Sequence, residues 1–310
     1  MGNCCAKNEH ELKLYQIHED IIFFSPDFDL DIDDKFSKNI ISKFKILIFN
    51  NNLLRMSKFN KSIDNLPDSV THLTLGNYFN QQINNLPKLL THLTLGNNFD
   101  QQVDNLPNSI INLTFGNNFN QQVNNLPNSI INLTFGDNFN QQVDNLPNSI
   151  INLTFGFSFD KSVDNLPNLI NILIFGNSFN KPVDNLPNLI NILIFRWNFN
   201  QSVDNLPNSI NILIFGYSFN KPVDNLPNSI INLILEHNFN QTIDNLPDSI
   251  KTLTLPKIYN YTINKIPNQL ETLTFKGNND ERISLGYELI TEYRKIIKNK
   301  FPNLIIYFER

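Results

Sequence analysis

Six apolar positions recur along most of this chain on a fixed schedule. From Phe59 to Asn278 the sequence divides into eleven gapless copies of one 20-residue pattern, and in one copy the apolar positions are Phe119, Val123, Leu126, Ile130, Leu133 and Phe135. Leu133 and Phe135 are two apart, the period of a strand, so they share a face while Asn132 and Thr134 take the other. A short strand is therefore predicted around Leu133. Leu-Pro recurs in every copy from Leu66-Pro67 to Leu246-Pro247, with Ile266-Pro267 as the last variant. A proline removes a ladder donor, so this segment is expected to form an extended or turn wall opposite the strand. Gly136, just past the strand, is expected to supply the positive φ of a sharp corner. Strand, corner and return make one coil of a solenoid. Twenty residues leave no room for a full helix beside them, so the return wall is expected to carry 3₁₀ turns at most. One coil cannot bury its own apolar face, and stability must come from stacking Phe over Phe and Leu over Leu.

The phrase Phe179-Asn180-Lys181-Pro182-Val183 appears again from Phe219 to Val223, within copies that also carry Leu-Pro-x-Ser/Leu-Ile and Leu-x-Phe-Gly. It resembles the FNIP repeat of amoebal and giant-virus proteins, a family similar to leucine-rich repeats. The resemblance implies a mainly β, right-handed, leucine-rich-repeat-like solenoid with a parallel β-sheet on its concave face. The chain departs from the motif in its period and in having Gln, Ser or Thr at most of the proline positions. Many family members carry an F-box before their repeats, but the first 42 residues show no comparable helical pattern and no F-box is expected.

The ends differ from the middle. Residues 1–42 are expected as an N-terminal arm and acidic linker. Residues 43–58 form a half-repeat cap, because Lys43 to Phe49 follows the apolar pattern of Ser209 to Phe215. After the repeats of 59–278, residues 279–310 are expected as a C-terminal cap of α-helix plus strand. Leu285, Leu289, Tyr293, Ile296 and Ile297 fall at helical spacing, Phe301-Pro302 ends the pattern, and Leu304 to Phe308 is strand-like.

Composition narrows the function. Charged residues make up 17% of the chain, below the roughly 25% of an ordinary soluble domain, so Asn supplies much of the polar surface. Phe, Ile, Asn and Lys all have A/T-rich codons, so an A/T-rich genome is an alternative source of that bias. The net charge of -5 and the lack of a basic stripe argue against a nucleic-acid partner. Apolar runs reach only five or so residues, as at Leu304 to Phe308, against about 20 for a membrane-spanning helix. The two cysteines, Cys4 and Cys5, are adjacent and cannot staple the chain, so a reducing, cytoplasmic compartment is expected. The start Met1-Gly2-Asn3-Cys4-Cys5-Ala6-Lys7 approaches the myristoylation pattern at Gly2, with Ala6 in place of Ser or Thr. One myristoyl chain binds membranes marginally, and Cys4 and Cys5 are placed to carry the palmitoyl chains of a second signal. The expected lipid contact is therefore peripheral, on the cytoplasmic face of a membrane.

No catalytic constellation stands out, and no metal or cofactor is expected. Asp27, Asp29, Asp31, Asp33 and Asp34 alternate like a calcium loop, but Ile32 and Lys38 stand where an EF-hand needs Gly and Glu. His72 and His92 share a strand position in adjacent copies, about 5 Å apart, and two histidines without a third ligand make a poor zinc site. The Asn and Asp columns, such as Asn120, Asn140, Asp160 and Asn180, are expected to satisfy turn backbone groups. One departure from the repeat points to a partner. The outward strand positions are Asn and Thr in copies such as Asn132/Thr134, but become Ile172/Ile174, Ile192/Ile194 and Ile212/Ile214, with Ile234 following. The corner beyond the strand holds Phe157, Trp197 and Tyr217, and Arg196 replaces its glycine. Trp, Tyr and Arg dominate many interfaces, so these residues are the expected partner-binding site on the concave sheet. The chain is thus expected to be a non-catalytic protein-protein interaction scaffold. The alternative is a substrate-recognition subunit of a ubiquitin ligase, which the resemblance to F-box family members suggests.

Overall fold

The computed structural model describes residues 14–33, 36, 39–49, 57–276 and 297–309. The chain forms two compact units, residues 1–157 and 158–310. Each is a parallel-strand solenoid, mainly β, with one short strand per coil.

The first unit begins its sheet ahead of the repeats. β1 (Tyr15–His18) and β2 (Ile21–Phe24) form an antiparallel hairpin turning at Glu19, whose φ is 52°. β2 then pairs in parallel with β3 (Ile46–Phe49). β4 (His72–Thr74), β5 (His92–Thr94), β6 (Asn112–Thr114), β7 (Asn132–Thr134) and β8 (Asn152–Thr154) follow, each parallel to the last. The segment expected as arm and linker thus contributes two strands. Its acidic stretch also feeds the core, since Phe28 and Ile32 are buried between exposed Asp27, Asp29, Asp31 and Asp33. The Phe28 ring lies 4.5 Å from that of Phe24 and 5.7 Å from that of Phe59. Alternation of acid with large apolar groups lets an extended segment cover the open end of the core while keeping its charges wet.

The second unit holds β9 (Ile172–Ile174), β10 (Ile192–Ile194), β11 (Ile212–Phe215), β12 (Asn232–Leu235), β13 (Thr252–Pro256), β14 (Thr272–Lys276) and β15 (Ile305–Glu309). All pair in parallel in that order. β15 closes the sheet within one residue of the strand expected over Leu304 to Phe308. The helix expected across Leu285 to Ile297 lies outside the described residues except at its end, where residues 297–300 are helical.

All six periodic positions are core in coil after coil. Phe119 and Phe139 stack with centroids 6.0 Å apart, and Phe115 and Phe135 at 5.5 Å. The Leu-Pro wall is a row of tight turns. Ile110 donates its N–H to the Pro107 carbonyl at 3.2 Å, and Leu90 to that of Pro87 at 3.1 Å. Proline serves here as an acceptor only, so its missing N–H leaves nothing unsatisfied.

The corner glycines act differently from the expectation. No described glycine has positive φ. A β-carbon added at Gly96 would lie 1.9 Å from the Gly76 carbonyl oxygen, and one at Gly116 would lie 2.1 Å from that of Gly96. From Gly76 to Gly156 successive corner backbones therefore approach too closely for a β-carbon, whereas in the second unit Arg196 stands at the same corner without lengthening β10. Where the glycine column gives way to Glu236, Pro256 and Lys276, the strands lengthen, and β13 and β14 stay paired through Pro256 and Lys276. The close approach, not the backbone angle, requires glycine. Gly116→Ala should accordingly destabilise the first unit by about 1–3 kcal/mol, as forced overpacking does. Thermal unfolding checks it: a variant that melts with the wild type would show that the corner has slack.

Candidate functional site

Residues flanking each buried strand leucine point away from the core, so they can vary without disturbing the stack. In the first unit they form two polar columns, His72, His92, Asn112, Asn132 and Asn152 beside Thr74, Thr94, Thr114, Thr134 and Thr154. In β9, β10 and β11 of the second unit the same positions are aliphatic, and in β13 and β14 they are threonine again. Ile192 is in register with Ile172 and Ile212, and Ile194 with Ile174 and Ile214. The column through Ile214 continues to Ile234, while its neighbour ends at Asn232. Each isoleucine is half-buried, sheltered by its copies in adjacent strands.

The aromatic corner lies on the same coils. Trp197 stacks on Tyr217 with centroids 4.5 Å apart, and Tyr217 on His237 at 4.4 Å. Trp197 remains 52% exposed, so the end of this stack is open to solvent. Arg196, in the place of a corner glycine, is exposed beside it. His237 was missed from the sequence, although it repeats the position of Trp197 and Tyr217 at intervals of 20 residues. Phe157 belongs to the first unit and is 54% exposed. Gly2, Cys4 and Cys5 lie outside the described residues.

The polar columns have definite hydrogen-bond partners. Asn120 Oδ1 accepts from the Asn140 N–H at 2.9 Å and from Gln141 Nε2 at 3.1 Å. In the second unit Asn205 donates to Asp184 and Asn225 to Asp204, each at 3.0 Å. The Ser162 hydroxyl, then the Asn185 amide, hold the Asp164 carboxyl below its usual range, and Ser202 and Asn225 do the same for Asp204. These acids are tied into the turns of their own wall.

His72 and His92 stack at 4.0 Å. Thr91 gives its hydroxyl proton to the Thr71 carbonyl, so its oxygen accepts from His92 Nδ1 at 2.9 Å. His92 Nε2 then accepts from the Asn112 amide at 2.6 Å. Asn132 donates to Asn112, and Asn152 to Asn132, so the amide column runs in one direction and ends on the imidazole. With Nε2 already accepting and the two rings parallel, the pair does not converge on a metal. Among the described residues no group of three or more His, Cys, Asp or Glu is placed to hold one. Among them, too, no helix is long and apolar enough to cross a membrane.

The parallel one-strand coil with columnar Leu and Phe defines a leucine-rich-repeat-like solenoid, a class typical of protein-protein interaction scaffolds. The FNIP repeat family model matches residues 59–98 and 119–158 and, in overlapping matches, 179–218, 199–237, 219–258 and 239–280. The chain belongs to the FNIP repeat family. Its structure is similar to the crystal structure of CroV588, described as a novel circular LRR protein, with TM-score 0.68 and 34% identity over 86% of this chain. The chain spans 44% of the length of that protein. YopM from Yersinia enterocolitica WA-314 matches with TM-score 0.48 and 18% identity over 77% of this chain and 58% of its own. No curated protein sequence matches the chain.

Burial, and then the charge of neighbouring His92, lower the pKa of His72 below its usual 6.5. A histidine held neutral in the folded state takes up its proton more readily when unfolded, so stability is full above about pH 6.5 and declines as pH falls below it. His72→Asn, which puts a side chain that does not titrate in this range at the end of the stack, should therefore shrink the loss of melting temperature between about pH 7.5 and 5.5, by on the order of 1 °C. An unchanged pH dependence would show that the stack carries no proton linkage.

Proposed function

We propose that this chain is a non-catalytic scaffold that binds a protein partner through the outer face of the second unit's sheet and is held on the cytoplasmic face of a membrane by acyl chains on Gly2, Cys4 and Cys5. One observation carries the partner site: four consecutive coils replace Asn or Thr with Ile on a face where the fold does not need them. The core residues Leu173, Leu193 and Leu213 are fully buried beneath, so the isoleucines add nothing to the coil's own core. They add an aliphatic surface edged by Trp197, Tyr217 and Arg196, the side chains that most often anchor interfaces. The anchor reading rests on the sequence Gly2 to Cys5 alone.

Replacing Ile192 and Ile194 by Thr together with Trp197→Ala should leave the melting temperature within a few degrees of wild type. The same variant should lower partner recovery, by affinity purification from the native cell and normalised to folded protein, at least tenfold. Unchanged recovery would move the site elsewhere, and recovery of cullin-RING components dependent on residues 1–42 would favour the ligase reading. The anchor is tested separately with a clickable myristate analogue. Label on the wild-type chain and none on Gly2→Ala is expected; no wild-type label would remove the anchor.

A further inference from the structure

Resting on the protein-partner reading, we propose that the element docking on the second unit's isoleucine face is a single amphipathic α-helix of about three turns, lying across the coils in the furrow between the two isoleucine columns. The first argument concerns hydrogen bonds. β10 and β11 are paired on both sides, so their backbone groups are committed within the sheet. A partner in extended conformation, lying on this aliphatic grid, would bury its own N–H and C=O groups against side chains that offer neither donor nor acceptor. A helix satisfies its backbone internally and presents only side chains. Strand addition is open only at a sheet edge, and this face is interior.

Size gives the second argument. Strands about 4.8 Å apart place Ile174 and Ile234, three steps apart, roughly 14 Å from one another, the length of about ten helical residues. The two columns lie about 6.7 Å apart along the strands, leaving a furrow that receives one ridge of helix side chains. The isoleucines with Trp197 and Tyr217 present on the order of 400 Å². A stable protein-protein interface buries roughly 800 Å² on each partner, so this face alone does not hold a second copy of the chain. It matches one peptide-sized element.

Charge gives the third. Arg196 and Glu236 stand at the same corner position two coils apart, about 10 Å along the furrow. No described ion pair engages either. Two helical turns advance about 10.8 Å, so the fitting helix carries an acidic residue facing Arg196 and a basic residue seven positions away facing Glu236.

The test uses two displayed libraries of 18-residue peptides with identical composition, selected on the full chain. One fixes apolar residues at helical spacing and the other at alternating spacing. Trp197 is the chain's single tryptophan, so its emission reports binding at this face without a label. We expect enrichment from the helical library alone, with blue-shifted Trp197 emission. Affinity should fall at least tenfold for Ile192→Thr with Ile194→Thr and for Arg196→Glu. The first variant uses a residue the fold already accepts at this position, and the second alters only an exposed side chain, so both are expected to fold. Enrichment of alternating peptides that depend on the same isoleucines would leave the docking face standing and remove the helix. If no clone distinguishes the wild-type chain from these variants, the face and the helix both fall.

Discussion

The structure depends on one constraint: every coil must follow the same 20-residue path closely enough for its strand to pair in register with the next. Parallel pairing of three-residue strands is weak by itself, so the register is held by what lies beneath and beside it. Leu93 pairs with Leu113 and that with Leu133, and the Phe columns repeat the match one layer further in. A one-residue slip in any coil would turn leucine outward and Asn or Thr inward. The corner glycines show how tight the path is, since adjacent backbones come nearer there than any β-carbon permits. Where Glu236, Pro256 and Lys276 take the corner the strands are longer, Arg196 takes it with a three-residue strand, and the register survives in each case.

Because the core fixes only alternate strand positions, the outer face is free to change character while the coil stays the same. The change in the second unit is nearly an exchange of neighbours. The first unit has Ile131 then Asn132, whereas the second has Asn191 then Ile192. The amide moves just outside the strand, where Asn211 donates to Asn191, and the isoleucine moves onto the sheet. Composition scarcely changes and the core is unaffected, yet a polar column becomes an aliphatic one. This separation of stability from surface lets the outer face of one unit change without cost to the stack.

Identical polar residues stacked at strand spacing need a consistent direction of donation. The amides of Asn152, Asn132 and Asn112 donate in series, and the series ends where His92 offers a lone pair. A protonated His92 would set a donor against a donor at that point. The polar face of the first unit is thus ordered by hydrogen-bond polarity, while the isoleucine face of β9 to β11 is ordered by shape.

The sequence by itself determined the coil. The interval of 20, the spacing of two between Leu133 and Phe135, and the proline that must lie off the sheet leave one economical path, and all six apolar positions are buried. It also marked Ile172 to Ile234 as an outward departure, because period-two alternation fixes which side a strand residue faces. Tertiary structure decided what distance in the chain conceals. Tyr15 to Phe24 joins the sheet as a hairpin because Phe24, Phe28 and Phe59 meet across the open end of the core, which no local pattern announces. His237 joins Trp197 and Tyr217 because stacking brings positions 20 residues apart within ring contact. The glycines serve close approach and not turning, since the distance between neighbouring coils is a property of the stack and is absent from any single copy of the repeat.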